Sequence, residues 1–276
     1  MDRMGWAPRA RHVLLALAGL TLLTASPSSA RPEYPTTLPH DEASCARPSL
    51  WVVSDADTTI YLFGTIHTHD GRTHWFDHAV RLAFDASSTL VLETLIPTEP
   101  PRPVAAPQGS GLSLAKATVQ SARQAGLSVQ FGADMVLARA ADADGKPIIG
   151  LESFDEQLRM YQSLPSPARP AAAAAAVAPP PHPEQSLAPY LRTMVDGWNR
   201  GDSRPIEAVV GAVRTQSPQA YRRLFTDRNT AWAQWIAQRL EQPGTVFVAV
   251  GTGHLVGSDS VQAKLAAAGI RSGRIN

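Results

Sequence analysis

The chain has 276 residues, 44% of them hydrophobic and 18% charged, with a formal net charge of +1. That excludes a disordered chain, a coiled coil and a multispan membrane protein, and the charge gives no reason to expect a nucleic-acid partner. One cysteine, Cys45, excludes an internal disulfide and a cysteine-built zinc site.

Residues 1–30 carry the layout of a secretory signal peptide. Arg3, Arg9 and Arg11 form a basic start, Val13 to Ala25 is an apolar run, and small residues end at Ala30. The apolar run is short for a membrane span. The expectation is an exported protein, periplasmic or secreted, with no membrane span after cleavage and a mature start near Arg31. Cys45 lacks the lead-in of a lipid-modified cysteine and reads as a tolerated free thiol. Residues 31–48 are polar and proline-containing and read as a loose lead-in.

Leu50–Val53 and Thr59–Phe63 are β-rich runs separated by the turn chemistry of Ser54–Asp57, which predicts a hairpin. The second strand runs into Gly64-Thr65-Ile66-His67. His74–Asp85 reads as a helix with Trp75, Phe76, Ala79, Val80 and Ala83 on its apolar side. Thr89–Leu92 is a short apolar strand that ends at Glu93, and Pro97–Gly111 is a proline-rich loop. Leu112–Ala125 and Ala133–Ala143 read as helices, and Lys146–Leu151 as a buried strand leading into Glu152.

Ser153-Phe154-Asp155-Glu156 is a capping box that starts a helix ending before Pro165. An Ala/Pro-rich loop occupies 163–185. A helical pair follows, broken at Gly201. Ser217-Pro218 opens a further helix as cap and N1 residue. Thr245–Val250 is an all-apolar strand of the kind covered on both faces. It runs into Gly251-Thr252-Gly253-His254, and a last helix ends at Gly269. Strands at both ends and helices between them predict an α/β fold. Its central sheet is built from N- and C-terminal strands, with a mostly helical middle insertion, in a single domain over 49–276.

The most informative feature is a repeated form, an apolar strand followed by Gly-x-x-His, at Gly64–His67 and Gly251–His254. Sites in open α/β sheets form beyond the carboxyl ends of strands, and glycine there permits a tight turn or a close approach. Glu93 and Glu152 also directly follow apolar strands. Two imidazoles and one or two carboxylates suit Zn, Mn, Co or Fe.

Competing patterns are weaker. His67 and His69 form His-x-His, but no eightfold βα alternation accompanies them. His74 and His78 are four apart, yet the intervening residues lack the zincin glutamate and both fall on a polar helix side. Gly251-x-Gly253-x-x-x-Gly257 has the wrong spacing for a dinucleotide loop. Arg228 lies on the apolar stripe of its helix with Leu224, Phe225 and Trp232. An inward guanidinium needs an anion. Three outcomes stand: a stem that snorkels to solvent, a structural pair with Asp134 or Glu207, or contact with the Glu/His group or an oxyanion.

These motifs resemble the TraB/GumN family. The resemblance rests on Ile60–His67, Leu90–Glu93, Ile149–Glu152 with Glu156-Gln157, Asp227-Arg228-Asn229 and Val248–Leu255, in order from about Leu50 to Ile270. Thr68-His69 depart from the usual apolar residue, and Pro97–Gly126 is short for the family. The family is related to the Tiki metalloproteases and, more distantly, to the erythromycin-esterase and ChaN-like group. The resemblance implies a metal-dependent hydrolase of peptidase or amide-bond type. Its divalent ion (Mn, Co, Zn or Fe) would be held by His67, His254, Glu93 and Glu152, with Glu93, Glu152 and Arg228 in catalytic roles and a peptide or other amide as substrate. The alternatives are a non-catalytic haem-, metal- or polysaccharide-binding protein of the same fold, and a regulatory protein that inhibits a partner.

Overall fold

A computed structural model describes residues 46–76, 78–95, 111–164 and 188–276, with side chains from 118 onward in the segment that starts at 111. The signal-peptide reading, Cys45, the Pro97 loop and most of the Ala/Pro tract lie outside the described residues.

Six strands form one sheet: β1 (Leu50–Ser54), β2 (Thr58–Thr65), β3 (Thr89–Thr94), β4 (Ile148–Glu152), β5 (Gly244–Gly251) and β6 (Gly273–Arg274). The spatial order is β4-β3-β5-β2-β1-β6. β4, β3, β5 and β2 run parallel, while β1 is antiparallel to β2 and to β6. The predicted hairpin is present, closed by Asp55, whose carboxylate accepts from the backbone of Asp57 and Thr58. The C-terminal strand β5 inserts between β2 and β3, so chain ends far apart in sequence build the centre of the sheet.

Alternation along the strands sorts side chains to two faces. Phe63, Leu90, Leu92, Phe247 and Ala249 enter one core cluster; Ile60, Leu62, Val91, Val246, Val248 and Val250 enter the other. The second face is covered by Trp232, Ala233 and Ile236 and by Val261 and Leu265 of the two C-terminal helices. The first is covered by the remaining helices: α1 (His78–Ala86), α2 (Gly111–Gln124), α3 (Ala133–Ala143), α4 (Phe154–Ser163), α5 (Ala188–Asn199) and α6 (Arg204–Gln216). Both faces of β5 are thus covered, as its unbroken apolar run predicts.

Four local expectations need correction. β4 is the outermost strand and not a buried one; Ile149 is 41% exposed. The first helix starts at His78, not His74. Trp75 precedes it in irregular backbone, buried and stacked on Phe63 at 5.5 Å. His74 and His78 are exposed, but they do not share a helical turn. Ala46–Pro48, the end of the expected loose lead-in, are tied down: the N–H groups of Ala46 and Arg47 donate to the carbonyls of His74 and Asn199, and Ala46 and Pro48 are buried.

The capping box at Ser153–Glu156 forms as predicted, and Gly201 breaks the α5–α6 pair at φ +69°. The helix after Ser217 is not regular. α7 (Pro218–Tyr221) passes through a π-helical turn at Arg222–Thr226 into α8 (Asp227–Leu240), and α9 (Val261–Ala267) closes the chain's helices. The extra residue of a π turn shifts the helical face that follows it, and here the residue carried just beyond it is Arg228.

Candidate active site at the carboxyl edge of the sheet

The four parallel strands all end at one edge. Thr65 is opposite Gly251, and Thr94 is opposite Glu152. His67, Glu93, Glu152 and His254 therefore arrive together because of strand direction and register. Glu93 lies on the same face as Val91, toward α8, where Arg228 stands.

Arg228 is the hub. Its Nη2 donates to Glu93 Oε2 at 2.7 Å and to Glu152 Oε1 at 2.5 Å. Its Nε donates to Glu152 Oε2 at 3.1 Å and its Nη1 to His254 Nε2 at 3.1 Å. The guanidinium also lies 4.5 Å from the Trp232 ring centre. Of the three outcomes open for this residue, the geometry selects the Glu/His group. Asp134 and Glu207 are not its partners.

His254 is buried against Trp232, with ring centres 4.4 Å apart. Its Nδ1 lies 2.5 Å from Asn229 Oδ1. An amide oxygen can only accept, so Nδ1 carries the proton and Nε2 offers its lone pair to Arg228. Burial, followed by the charge of Arg228, holds this imidazole neutral down to about pH 3 against the pull of Glu93.

His67 is in the opposite condition. Its Nδ1 is 2.9 Å from Asp134 Oδ2. Burial disfavours its charge, but the carboxylate and hydrogen bond of Asp134, helped by Glu93, outweigh that and raise it to about 9. Asp134 reaches it because α3 docks its first turn on the loop after β2: the Ala133 N–H donates to the Ile66 carbonyl at 2.8 Å. Gly132 allows that approach, since a Cβ there would lie 2.3 Å from the His67 carbonyl oxygen.

The two motif glycines serve close approach rather than a turn, and neither has positive φ. A Cβ on Gly64 would meet Thr252 Oγ1 at 2.8 Å. One on Gly251 would lie 3.1 Å from Glu93 Oε1, 3.7 Å from His67 Nε2 and 3.8 Å from His254 Cδ2, so these groups converge over the Gly251 backbone. The Gly251 N–H donates to Glu93 Oε1 at 2.6 Å.

The carboxylates are also driven apart. Burial would raise Glu93, but Arg228, His254, His67 and the Gly251 N–H bring it down to about 2. Burial raises Glu152 in spite of Arg228. Glu152 Oε1 also accepts from Gln157 Nε2 at 3.0 Å.

This arrangement does not suit a divalent cation. Both oxygens of Glu93 and of Glu152 accept hydrogen bonds, both nitrogens of His254 are engaged, and the cationic position between them is filled by Arg228. Among the described residues no group of three or more His, Cys, Asp or Glu has the geometry to hold a metal. His67 Nε2 alone keeps a ligand-like posture, with its Nδ1 fixed by a carboxylate.

Sequence reasoning missed Asp134 as the partner of His67, although its place in the first turn after Gly132 was visible. It also missed the roles of Asn229 and Tyr161. The Tyr161 hydroxyl is fully buried without a hydrogen-bond partner among the described residues. Burial raises it well above the usual phenol range, with Arg228, Glu93 and Glu152 close enough to act on it. His69 is not part of the site: its Nε2 pairs with Asn199 Oδ1 at 3.1 Å and its Nδ1 accepts from the Gly71 N–H. A cavity of about 340 Å³ opens beside His67 and Glu93, and a smaller one of about 30 Å³ lies between His67 and His254. Among the described residues, neither is lined by Ser or Cys.

The model of the TraB/PrgY/gumN family matches residues 49–110 and 105–274. Among curated proteins, the chain is 30% identical over 140 residues to "Uncharacterized protein YbaP" of Escherichia coli (strain K12) and equally to that of Shigella flexneri. The matched stretch covers 51% of this chain and spans about half the length, 50%, of each relative. No solved structure matches it.

Proposed function

The chain belongs to the TraB/PrgY/gumN family, and from that premise we propose that it is an exported hydrolase of amide bonds, with a peptide or related amide as substrate. The observation that carries this reading is the His67 Nδ1–Asp134 Oδ2 contact at 2.9 Å, which fixes the imidazole while its Nε2 and Glu93 Oε1 converge over Gly251 in the lining of a mainly apolar cavity.

An imidazole oriented by a carboxylate is the acid–base unit of hydrolytic sites. We take water as the nucleophile, since among the described residues no Ser or Cys lines either cavity. Neutral His67, the minor form at neutral pH and the major one only above about pH 9, takes a proton at Nε2 as water oxygen bonds to the carbonyl carbon. Arg228 stands behind Glu93 and Glu152, outside the lining of both cavities, and holds this wall of the site together. The C–N bond then breaks and His67 returns its proton to the leaving nitrogen. Glu93 and Glu152 fix the guanidinium, and Asn229 keeps His254 in the tautomer that accepts from it.

A second reading is the metal-dependent form, with His67, His254, Glu93 and Glu152 as ligands to Mn, Co, Zn or Fe. It is favoured by the carboxylate-fixed His67 and requires Arg228 to leave the carboxylates. Export rests on residues 1–30 alone.

The test uses the mature protein recovered from the exporting cell. Its mass should begin near Arg31. It should release amine from a peptide library, and His67→Ala and Asp134→Ala should abolish that release in folded protein. Activity that survives both substitutions sinks the acid–base assignment. Elemental analysis separates the two forms: about one metal ion per chain, lost in His67→Ala and His254→Ala, selects the metal-dependent one.

A further inference from the structure

The larger cavity has a composition that the reaction centre does not require. It lies between the sheet and α3, on the face opposite α8. Its wall is Leu92, Val129, Met135, Ala138, Ile148 and Ala249. Its volume of about 340 Å³ is roughly twice that of a cavity which accepts benzene, enough for one branched or aromatic side chain and the backbone beside it. His67, Glu93 and Thr65 are also among its lining residues.

Two further lining residues keep a buried side-chain oxygen with no hydrogen-bond partner among the described residues: Thr94 Oγ1 and Asp134 Oδ1. Thr94 is 4% exposed. Buried polar atoms left unpaired are destabilising, and a ligand that opened the wall to these two and supplied both halves of the pairing would relieve that cost. A hydroxyl donates to a carbonyl and a carboxylate oxygen accepts from an N–H. A peptide amide carries both groups within one plane.

Resting on the amide-hydrolase reading, we propose that this cavity is the specificity pocket for one apolar amino-acid side chain of the substrate. The Thr94 hydroxyl and Asp134 Oδ1 bind the C=O and N–H of the backbone beside that side chain. The pocket sets which residue flanks the bond that is cut, and His67 in its lining acts on that bond. Asp134 then serves both halves of the site, with Oδ2 on His67 and Oδ1 on the substrate.

The experiment measures binding of N-acetyl-L-leucinamide and N-acetylglycinamide to the mature chain by calorimetry or NMR shift perturbation. The two probes share the amide groups and differ in the apolar side chain. The leucine probe should bind at least about tenfold more tightly, the scale of burying one such side chain. Ala138→Trp, which fills the cavity, should erase that preference, and Met135→Phe serves if Ala138→Trp does not fold. Thr94→Val should weaken the leucine probe by about tenfold, the scale of one hydrogen bond. Equal binding of the two probes by wild type, or a preference that persists in the filled variants, overturns the pocket. His67→Ala separates this inference from the reading beneath it. His67→Ala should lose hydrolysis and keep the preference, whereas a leucine preference in wild-type protein that shows no hydrolytic activity keeps the pocket and discards the hydrolase. Hydrolysis without any leucine preference does the reverse.

Discussion

His67 and His254, each the last residue of a Gly-x-x-His motif, are held in opposite charge states within one cluster. Asp134 fixes the first as an imidazolium up to about pH 9, while burial and Arg228 keep the second neutral down to about pH 3. Identical motifs have thus been given different chemistry by their neighbours. Groups whose environments push their pKa values apart divide the acid and base roles of a site.

NMR titration of the ring carbons should show this split directly. One imidazole should lose its proton near pH 9 and the other should stay neutral to about pH 3. Asp134→Asn should bring the His67 midpoint down, because burial and the charge of Arg228 then oppose the imidazolium with only Glu93 favouring it. A His67 midpoint unchanged in Asp134→Asn would discard the pairing.

The same shifts set the pH dependence of stability. His67 has a folded pKa above its unfolded value of 6.5, so its contribution is complete below 6.5 and is lost as pH rises through about 9. His254 has a folded pKa below 6.5, so its contribution is complete above 6.5 and is lost as pH falls through about 3. Glu93 adds a further loss between 4.5 and about 2. Melting temperature against pH should peak near neutrality, and Asp134→Asn should flatten only the alkaline limb.

Arg228→Met should destabilise the fold by about 3–5 kcal/mol at neutral pH, because Glu93 and Glu152 then lie buried without their shared cation. The loss should be smaller at pH 5 than at pH 8, since Glu152, already raised by burial, takes up a proton first. Urea denaturation at the two pH values checks both the size and the sign. A loss below about 1 kcal/mol means that the two carboxylates do not depend on Arg228.

Gly132→Ala tests how α3 is seated. The backbone there is at φ −57°, which any residue adopts, so the effect is steric: the added methyl would overlap the His67 carbonyl at 2.3 Å. A loss of about 2–4 kcal/mol is expected, typical of overpacking with backbone displacement. Activity should fall further than stability as Asp134 moves off His67. Gly145→Ala, with open space around it but φ +62°, gives the comparison for backbone strain alone.

Tyr161→Phe should leave stability unchanged or raise it by about 1 kcal/mol, because it removes a buried hydroxyl that has no partner among the described residues. Thermal unfolding of the two proteins is sufficient. A loss above 1 kcal/mol would mean that the hydroxyl is paired in solution.

By itself the sequence determined the units of this protein. Alternating and all-apolar runs specified the strands, Ser153–Glu156 specified a helix start, and both Gly-x-x-His motifs and both strand-end glutamates could be read directly. Local chemistry suffices there, because period, caps and turns act over a few residues. Sequence also put Arg228 on an apolar stripe, and so required an inward partner without naming it. What only the tertiary structure decided was which groups meet. β5 enters between β2 and β3 across more than 150 residues of intervening chain, and that pairing alone brings Gly251 to Glu93. The π turn before α8 and the docking of α3 through Gly132 then choose Arg228 and Asp134 as partners. Long-range register and the close approach of backbones are cooperative properties of the packed sheet, and no local residue pattern encodes them. The charge states of His67 and His254 follow from those partners, so two motifs alike in sequence acquire opposite electrostatics only after the chain has folded.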